Sequence, residues 1–375
     1  MGFTWLVALI SVFLINYTQA NFYKSQLENA ASKALGLQAR ISGKFTISIF
    51  PGLHINIKAV SLRNHNREVA TLSDTNLHIA ILPLFHKEVQ ATCACREIKA
   101  SGFAFSNVEF HLKAKDGIIV VKPARIHLYK GEGSANIRAD LSGAAPEYII
   151  HFSLSKFRVE EYIKTKFPKN VASGSMDLTT NLTMQGNSET ELKQSASGDI
   201  SLRGENITFY GRDLDKEFSR YESSQNFNLF DAGAYFFLGP LGLAVTKGYN
   251  FTKAYQDTEG KSAIGVLCSD WKVEKGAAYS GDVAMATQHH RLALKGSLDL
   301  VNERFNNVTI ALIDPKGRAI VKQEISGPFM EPVVKKPAFL MSLAGPAINL
   351  AKRGENFVIG NRSKVFYAGS VPPPK

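Results

Sequence analysis

Apolar side chains recur at every second residue along much of this chain. Phe45, Ile47 and Ile49 alternate with Thr46 and Ser48, and Leu53, Ile55 and Ile57 alternate with His54, Asn56 and Lys58. Leu77, Ile79 and Ile81 repeat the rhythm, as do Val108, Phe110 and Leu112. A period of two belongs to strands with one apolar and one polar face. Turn signals punctuate the series: Pro51-Gly52, Asp116-Gly117, Lys130-Gly131, Glu259-Gly260, Lys275-Gly276 and Pro315-Lys316-Gly317. Strands also cover Gly174 to Met184 and Ser197 to Tyr210, and a β block runs from Tyr235 to about Ile325. This spacing predicts a mainly β body with a few short helices.

Helical spacing is confined to short stretches. Between Lys24 and Leu37, the residues Leu27, Ala30, Ala31, Ala34 and Leu35 share one stripe, and Gly36 marks the end. A brief helix is expected from Phe157 to Phe167, before Pro168. Leu214 to Phe230 reads as helical or irregular. Pro337 to Lys352 reads as an apolar helix kinked at Pro346, followed by a loose tail ending in Pro372-Pro373-Pro374. No fixed-period repeat is present. The expected organisation is an anchor at 1–23, a helix and sheet region at 24–168, a second β region at 169–332, and a helix and tail at 333–375.

The N-terminal segment changes the setting. Residues 3–15, FTWLVALISVFLI, carry no charge, and the core of the segment is Trp5, Leu6, Val7, Leu9, Ile10, Val12, Phe13, Leu14 and Ile15. Extended to Tyr23, the uncharged stretch is long enough for about 30 Å of hydrocarbon at ~1.5 Å per residue. Trp5 at one end and Tyr17, Phe22 and Tyr23 at the other suit the two interfaces. The competing reading is a signal peptide cut after Ala20, given the small residues Thr18 and Ala20. Neither reading has a basic region before the apolar run. The anchor is preferred, and both readings place the body outside the cytoplasm.

Charge adds a bias toward membranes. The chain carries 44 Lys and Arg against 33 Asp and Glu, and residues 21–170 alone carry 21 against 12. The excess therefore lies beside the anchor, where each cation near anionic headgroups gains about 1 kcal/mol; a basic solvated face accounts for it equally well. The positives are scattered singly along strands, with no basic helix or Arg-rich arm, which argues against nucleic acid as partner.

Candidate chemistry is thin. Cys93, Cys95 and Cys268 are odd in number and read as packing residues. Lys261 between Gly260 and Ser262 resembles the end of a phosphate loop, but Tyr255 stands where its first glycine belongs. Gly131-Glu132-Gly133 lacks the third glycine of a dinucleotide loop, and no G-x-S-x-G elbow occurs. His289 and His290, read as strand neighbours, point to opposite faces and cannot chelate together. Asp213 and Asp215 could form a carboxylate pair, although a turn role for Gly211-Arg212-Asp213 accounts for the spacing better. No catalytic residue, metal or cofactor is expected, and the chain is not read as an enzyme.

Several segments resemble the AsmA family of diderm bacterial envelopes. GKFTISIFPGLHINIKAVSL at 43–62 is similar to the strand, Pro-Gly, strand pattern that follows the family's anchor helix. The stretch from Gly174 through Gly211-Arg212-Asp213-Leu214-Asp215 looks like its C-terminal region, with two strands flanking a short helical connector. LGPLGLAVTKG at 238–248, the stretch 269–300, QEISGPFMEP at 323–332 and FYAGSV at 366–371 extend the likeness.

The resemblance implies an inner-membrane protein, single-pass, with a periplasmic body. It also implies an extended antiparallel sheet curled around an open apolar groove, and a role in outer-membrane biogenesis. On that reading the groove shelters or transfers phospholipid, with Phe45, Ile47, Ile49, Leu53, Ile55, Ile57, Leu77, Ile79 and Ile81 as candidate lining. Residues alone leave a closed barrel or paired sheets equally open. The family often carries cysteines near positions held here by Arg318 and by Ser363 and Lys364, so the tail is expected to dock by packing through Phe366 and Tyr367. The alternative function is a non-catalytic scaffold or regulator of outer-membrane protein assembly, with other envelope-assembly proteins as partners.

Overall fold

A computed structural model describes residues 22–29, 31–33, 37–48, 53–64, 67–100, 103–165, 172–211, 213–221, 229, 260–340, 357–358 and 364–374. The anchor as far as Asn21, Ile49, the Pro51-Gly52 turn, Glu259 and residues 341–352 of the expected C-terminal helix lie outside them. Among the described residues, no helix is long and apolar enough to cross a membrane. The chain divides into two compact units, one of 1–128 with 132–142 and one of 129–131 with 143–375.

The first unit begins with helix α1 at 22–29 and 31–33. Its strands are β1 (Gln38–Ser48), β2 (Leu53–Asn64), β3 (Arg67–Ile79), β4 (Glu88–Ala100), β5 (Phe103–Lys115), β6 (Ile118–Leu128) and β7 (Gly131–Asp140), whose first residue is counted with the second unit. From β1 to β6 each strand pairs antiparallel with the next. Among the described residues β1 pairs with β2 along one edge, and α1 closes part of the other. Ser32 Oγ accepts from Ala39 N–H at 2.9 Å and Glu28 Oε1 from Ile41 N–H at 2.6 Å. Two edge donors that would otherwise recruit a foreign strand are thus satisfied.

A column of positive-φ residues crosses this sheet, with register shifts at Gly43 and Asn107. Gly43, Asp74 and Asn107, on alternate strands, adopt positive φ of 72°, 47° and 49°. Glycine, aspartate and asparagine are the residue types that tolerate it. The column shifts the apolar phase by one residue: Ile57 faces Thr75, but the next apolar pair is Val60 with Leu72. On the polar side Asp74 takes both Lys58 and Arg96, each at 2.6 Å.

One expectation fails here. Ile81 does not continue β3 but opens a helical turn, α2 (Ile81–Leu84). Ala80 N–H makes the last ladder bond, to Gln90 O at 2.9 Å. Pro83 has no N–H to offer a ladder, and its fixed φ suits the turn.

The second unit contains β8 (Glu147–Arg158), α3 (Val159–Lys164), β9 (Ala172–Gln185), α4 (Glu189–Ser195), β10 (Ser197–Tyr210) and α5 (Leu214–Tyr221). Then follow β11 (Lys261–Glu274), β12 (Ala277–Ala286), β13 (Arg291–Asp299), β14 (Arg304–Ile313) and β15 (Ala319–Pro328), with short strands β16 (Val333–Val334), β17 (Ala338–Leu340) and β18 (Phe357–Val358). β8 to β15 again pair in sequence, antiparallel. The helix expected from Pro337 begins instead as β17, which is tied to β15 through Phe339 opposite Val321. Ser188 caps α4 by accepting from Glu191 N–H at 3.2 Å. The hairpin expected at Lys130-Gly131 turns one residue earlier, on Tyr129 and Lys130, both at positive φ. Gly131 has another duty: a Cβ there would come within 2.7 Å of Phe157.

The tail is docked rather than loose. Cys268, Ala284, Ala293 and Ala311 are register partners across β11 to β14, forming a row of small side chains. Tyr367 and Val371 pack on that row. Tyr367 Oη donates to Asp282 at 2.5 Å and accepts from Val371 N–H at 3.0 Å. Arg291 donates to Val371 O at 2.8 Å and stands over the Tyr367 ring. Arg318 bridges to Val365, and Gly317 O accepts from the N–H groups of Phe366 and Tyr367. Packing and backbone bonds thus hold the tail where the family often carries cysteines, as expected for a chain with Arg318 in that place.

Burial works against the charge on Asp282, but hydrogen bonds from Ser370 and Tyr367 outweigh it and hold the carboxyl below its ordinary range. Its folded pKa is depressed, so the stabilisation is complete above the unfolded value and is lost as pH falls through the folded one. Amide protection at 365–371, corrected for intrinsic exchange, should hold from pH 7 to about 5 and fall below about pH 4. Asp282→Asn should weaken protection and flatten that dependence. Gly317→Ala should release the tail at every pH, since its Cβ would meet Tyr367 O at 1.9 Å and its φ is +74°.

Candidate functional site

Antiparallel register turns the alternation within each strand of the first unit into rows across strands. Partners in such a ladder point to the same face. One row runs Ile47, Ile55, Leu77, Cys93, Phe110, Ala124. A second runs Phe45, Ile57, Thr75, Cys95, Val108. A third runs Leu53, Ile79, Ala91, Leu112, Val121. Seven of the nine candidate residues therefore share one face: Phe45, Ile47, Leu53, Ile55, Ile57, Leu77 and Ile79. Ile49 lies outside the described residues, and Ile81 belongs to α2.

That face is partly covered. Ile41, Ile55 and Ile57 are buried, and Leu27 of α1 packs with Phe45, Ile47, Leu53, Val60 and Leu77 around them. Phe45, Ile47, Leu53, Leu77 and Ile79 remain half-buried. Adjacent strands stand about 4.8 Å apart, so the six-strand row spans roughly 24 Å. Half of a bilayer's ~30 Å hydrocarbon core is about 15 Å. The face is long enough for one acyl chain laid across the strands.

Its polar atoms are satisfied locally. Thr75 Oγ1 donates to Cys95 Sγ at 3.4 Å, and Cys95 Sγ donates to Ser73 O at 3.2 Å. Burial, with Cys95 close by, pushes the Cys93 thiol up to about 11, and burial beside Asp270 and Asp282 pushes Cys268 up to about 12. All three cysteines are free and buried. Such thiols pack; they are not poised as nucleophiles.

The second unit differs in kind. Leu267, Met285, Leu292, Leu312 and Val321 form a comparable row, and every member is buried. The opposite face of these strands carries the alanine row sealed by the tail.

The polar candidates resolve as fastenings. Asp213 Oδ1 accepts from Lys216 N–H at the start of α5. Asp215 Oδ1 accepts from Thr287 Oγ1 at 2.6 Å, from His289 N–H at 3.2 Å, and meets His290 Nδ1 at 2.7 Å. The two carboxylates thus have separate partners. His289 and His290 sit in the β12–β13 turn, not on a strand. Burial opposes the Asp215 charge, yet bonds from Thr287 and His290 keep its carboxyl below the ordinary range. With Phe218 edge-on to His290, the group pins α5 to that turn.

Strand reading found β5 but missed that Cys93, Phe110 and Ala124 extend the Ile55 row. The signal was present in the alternation of β4 to β6. Only the register shows that the rows align.

The model of the AsmA family matches residues 90–220, from the start of β4 through α5. The match bears out the resemblance over that stretch, while the segment at 43–62 and those from 238 onward lie outside it. No curated protein and no solved structure matches the chain.

The contrast between the two apolar rows can be measured. Leu267→Ala, in the sealed row, should cost about 2–5 kcal/mol. Leu77→Ala, half in solvent, should cost about 1 kcal/mol or less. Denaturant unfolding of the two variants, read by probes in each unit, checks this.

Proposed function

We propose, from the membership of residues 90–220 in the AsmA family, that the chain is an envelope protein that shelters phospholipid acyl chains along the first unit's apolar face. The family relation supports an envelope role. The lipid role rests on one observation: apolar rows cross the first unit's strands with Phe45, Ile47, Leu53, Leu77, Ile79, Phe110 and Leu112 only half-buried, while every member of the Leu267 to Val321 row of the second unit is buried.

The mechanism is passive solvation. A chain laid on the face transfers methylenes out of water at up to about 0.8 kcal/mol each. No nucleophile or redox group takes part. The uncharged N-terminal stretch would hold the body at the inner membrane, on the periplasmic side. The closed interior of the second unit favours a scaffold role for that part, with envelope-assembly proteins as its partners.

Mass spectrometry of the purified full chain after organic extraction should find co-purifying phospholipid. A photocrosslinking residue at Leu77 should label lipid, whereas one at the buried Leu267 should not. Ile47→Glu with Leu77→Glu should remove most of the bound lipid while the second unit still unfolds cooperatively. A chain that extracts clean and whose Leu77 probe labels only protein would rule out the sheltering role.

A further inference from the structure

The hairpin between β3 and β4 ends in Ile81-Leu82-Pro83-Leu84-Phe85-His86-Lys87. Leu82 is 77% exposed and Phe85 79%, with Leu84 exposed beside them. Large apolar side chains set together at a tip mark a contact surface. Part of the backbone of this tip is paired within it: Phe85, His86 and Lys87 donate to Leu82 O, Pro83 O and Leu84 O. Each such bond lowers the cost of bringing the turn into an interface. At the same end of the sheet Leu141 N–H donates to Gly117 O, and the Leu141 side chain is also exposed.

Behind the tip lies a cleft of about 550 Å³, lined by His78, Gln90, Thr92, His111, Lys113 and Lys122, with Ala80 and Val120 among its apolar walls. Thr92 Oγ1 and His111 Nδ1 are 3.0 Å apart. Whichever of them donates, the other retains a proton for a ligand. Glu88, the nearby acid, is held by Lys113 at 2.9 Å and by Gln90, and these bonds keep its carboxyl below the ordinary range. Among the described residues, Lys122 makes no ion pair. The cleft therefore presents positive charge and hydrogen-bond donors, the chemistry that recognises a phosphate.

We infer that the β3–β4 tip docks this protein on an anionic lipid leaflet, with Leu82 and Phe85 entering the interface and the cleft taking a lipid phosphate. A leaflet supplies an apolar phase and a phosphate layer at adjacent depths, as the tip and cleft require. The row Leu53–Ile79–Ala91–Leu112–Val121 is the one nearest the tip, so docking brings the leaflet to one end of the apolar face. The inference rests on the lipid role above and assigns the place where lipid is exchanged.

The test uses the full chain reconstituted in phosphatidylcholine vesicles and measures capture of a second, fluorescent vesicle population. Capture of vesicles containing phosphatidylglycerol should exceed that of pure phosphatidylcholine several-fold. Leu82→Asp with Phe85→Asp should lower it about tenfold. Lys122→Glu should abolish the preference for phosphatidylglycerol while leaving thermal unfolding unchanged. Lipid labelling from Leu77 in wild type is the separate readout of the sheltering role, so the two ideas can fail independently. Unchanged capture in the tip variant, equal capture of both vesicle types by wild type, or a photoprobe at Phe85 that labels a second copy instead of lipid would each overturn the docking assignment.

Discussion

An antiparallel ladder forces register partners onto the same face, and in this chain that makes every alternating strand part of an apolar row that something must cover. Each square ångström left in water forgoes about 25 cal/mol. In the second unit β11 to β14 are buried on both faces where Leu267-Cys268, Ala284-Met285, Leu292-Ala293 and Ala311-Leu312 pair. Leu267, Met285, Leu292 and Leu312 lie inside on one side, and on the other the tail lies over an alanine floor. In the first unit Leu27 and the buried Ile41, Ile55 and Ile57 close part of the face, and their neighbours stay half in solvent. The same sequence rhythm thus has two outcomes, and what lies over the row separates them.

The alanines show how cover and row are matched. A tyrosine and a valine can lie flat only where the strands beneath carry small side chains, and Cys268, Ala284, Ala293 and Ala311 supply that floor in register. Polar groups then fix the position: Asp282 takes Tyr367 and Ser370, and Arg291 takes Val371 O. A disulfide would restrain the unfolded chain whatever the pH. These bonds act only in the folded state, and the part carried by Asp282 depends on its charge.

Much of this was legible in the sequence, and the misses share a cause. Period two gave β1 to β3, β5, β9 and β10, and the positive-φ residues at Asp116-Gly117 and Lys275-Gly276 sit where the turn signals predicted. Alternation cannot show a phase shift, so the step from Ile57 to Val60 across the column of positive-φ residues was hidden. Nor can it show partners far along the chain. Tyr367 finds Asp282 across 85 positions, and Asp215 finds His290 across 75. Read locally, Tyr367 was expected to dock by packing but had no polar partner to name, and Asp215 was weighed as half of a carboxylate pair against a turn role. Ile81 fits the strand rhythm, but Pro83, two residues on, outweighs it. The candidate face was visible residue by residue, whereas its extension through Cys93, Phe110 and Ala124 needed the register.

On the proposed reading, a face covered on one side sets how firmly cargo is held. A methylene that loses about half its water gains about 0.4 kcal/mol, so ten of them gain about 4 kcal/mol, a millimolar-class hold. That is weak enough for release without an energy source, and it is nearly indifferent to which acyl chain is present. An apolar row of Ile, Leu, Phe and Cys offers no donor or acceptor that could tell one lipid from another; Thr75 is already engaged with Cys95. Discrimination must then come from groups that meet a headgroup. On the first unit such groups belong to the polar face, where the ladder places His54, His78, Thr92 and His111 in a row of their own. Alternation therefore divides the labour within each strand: one side chain, such as Leu77, solvates, and the next along, here His78, faces the polar side where a headgroup is selected.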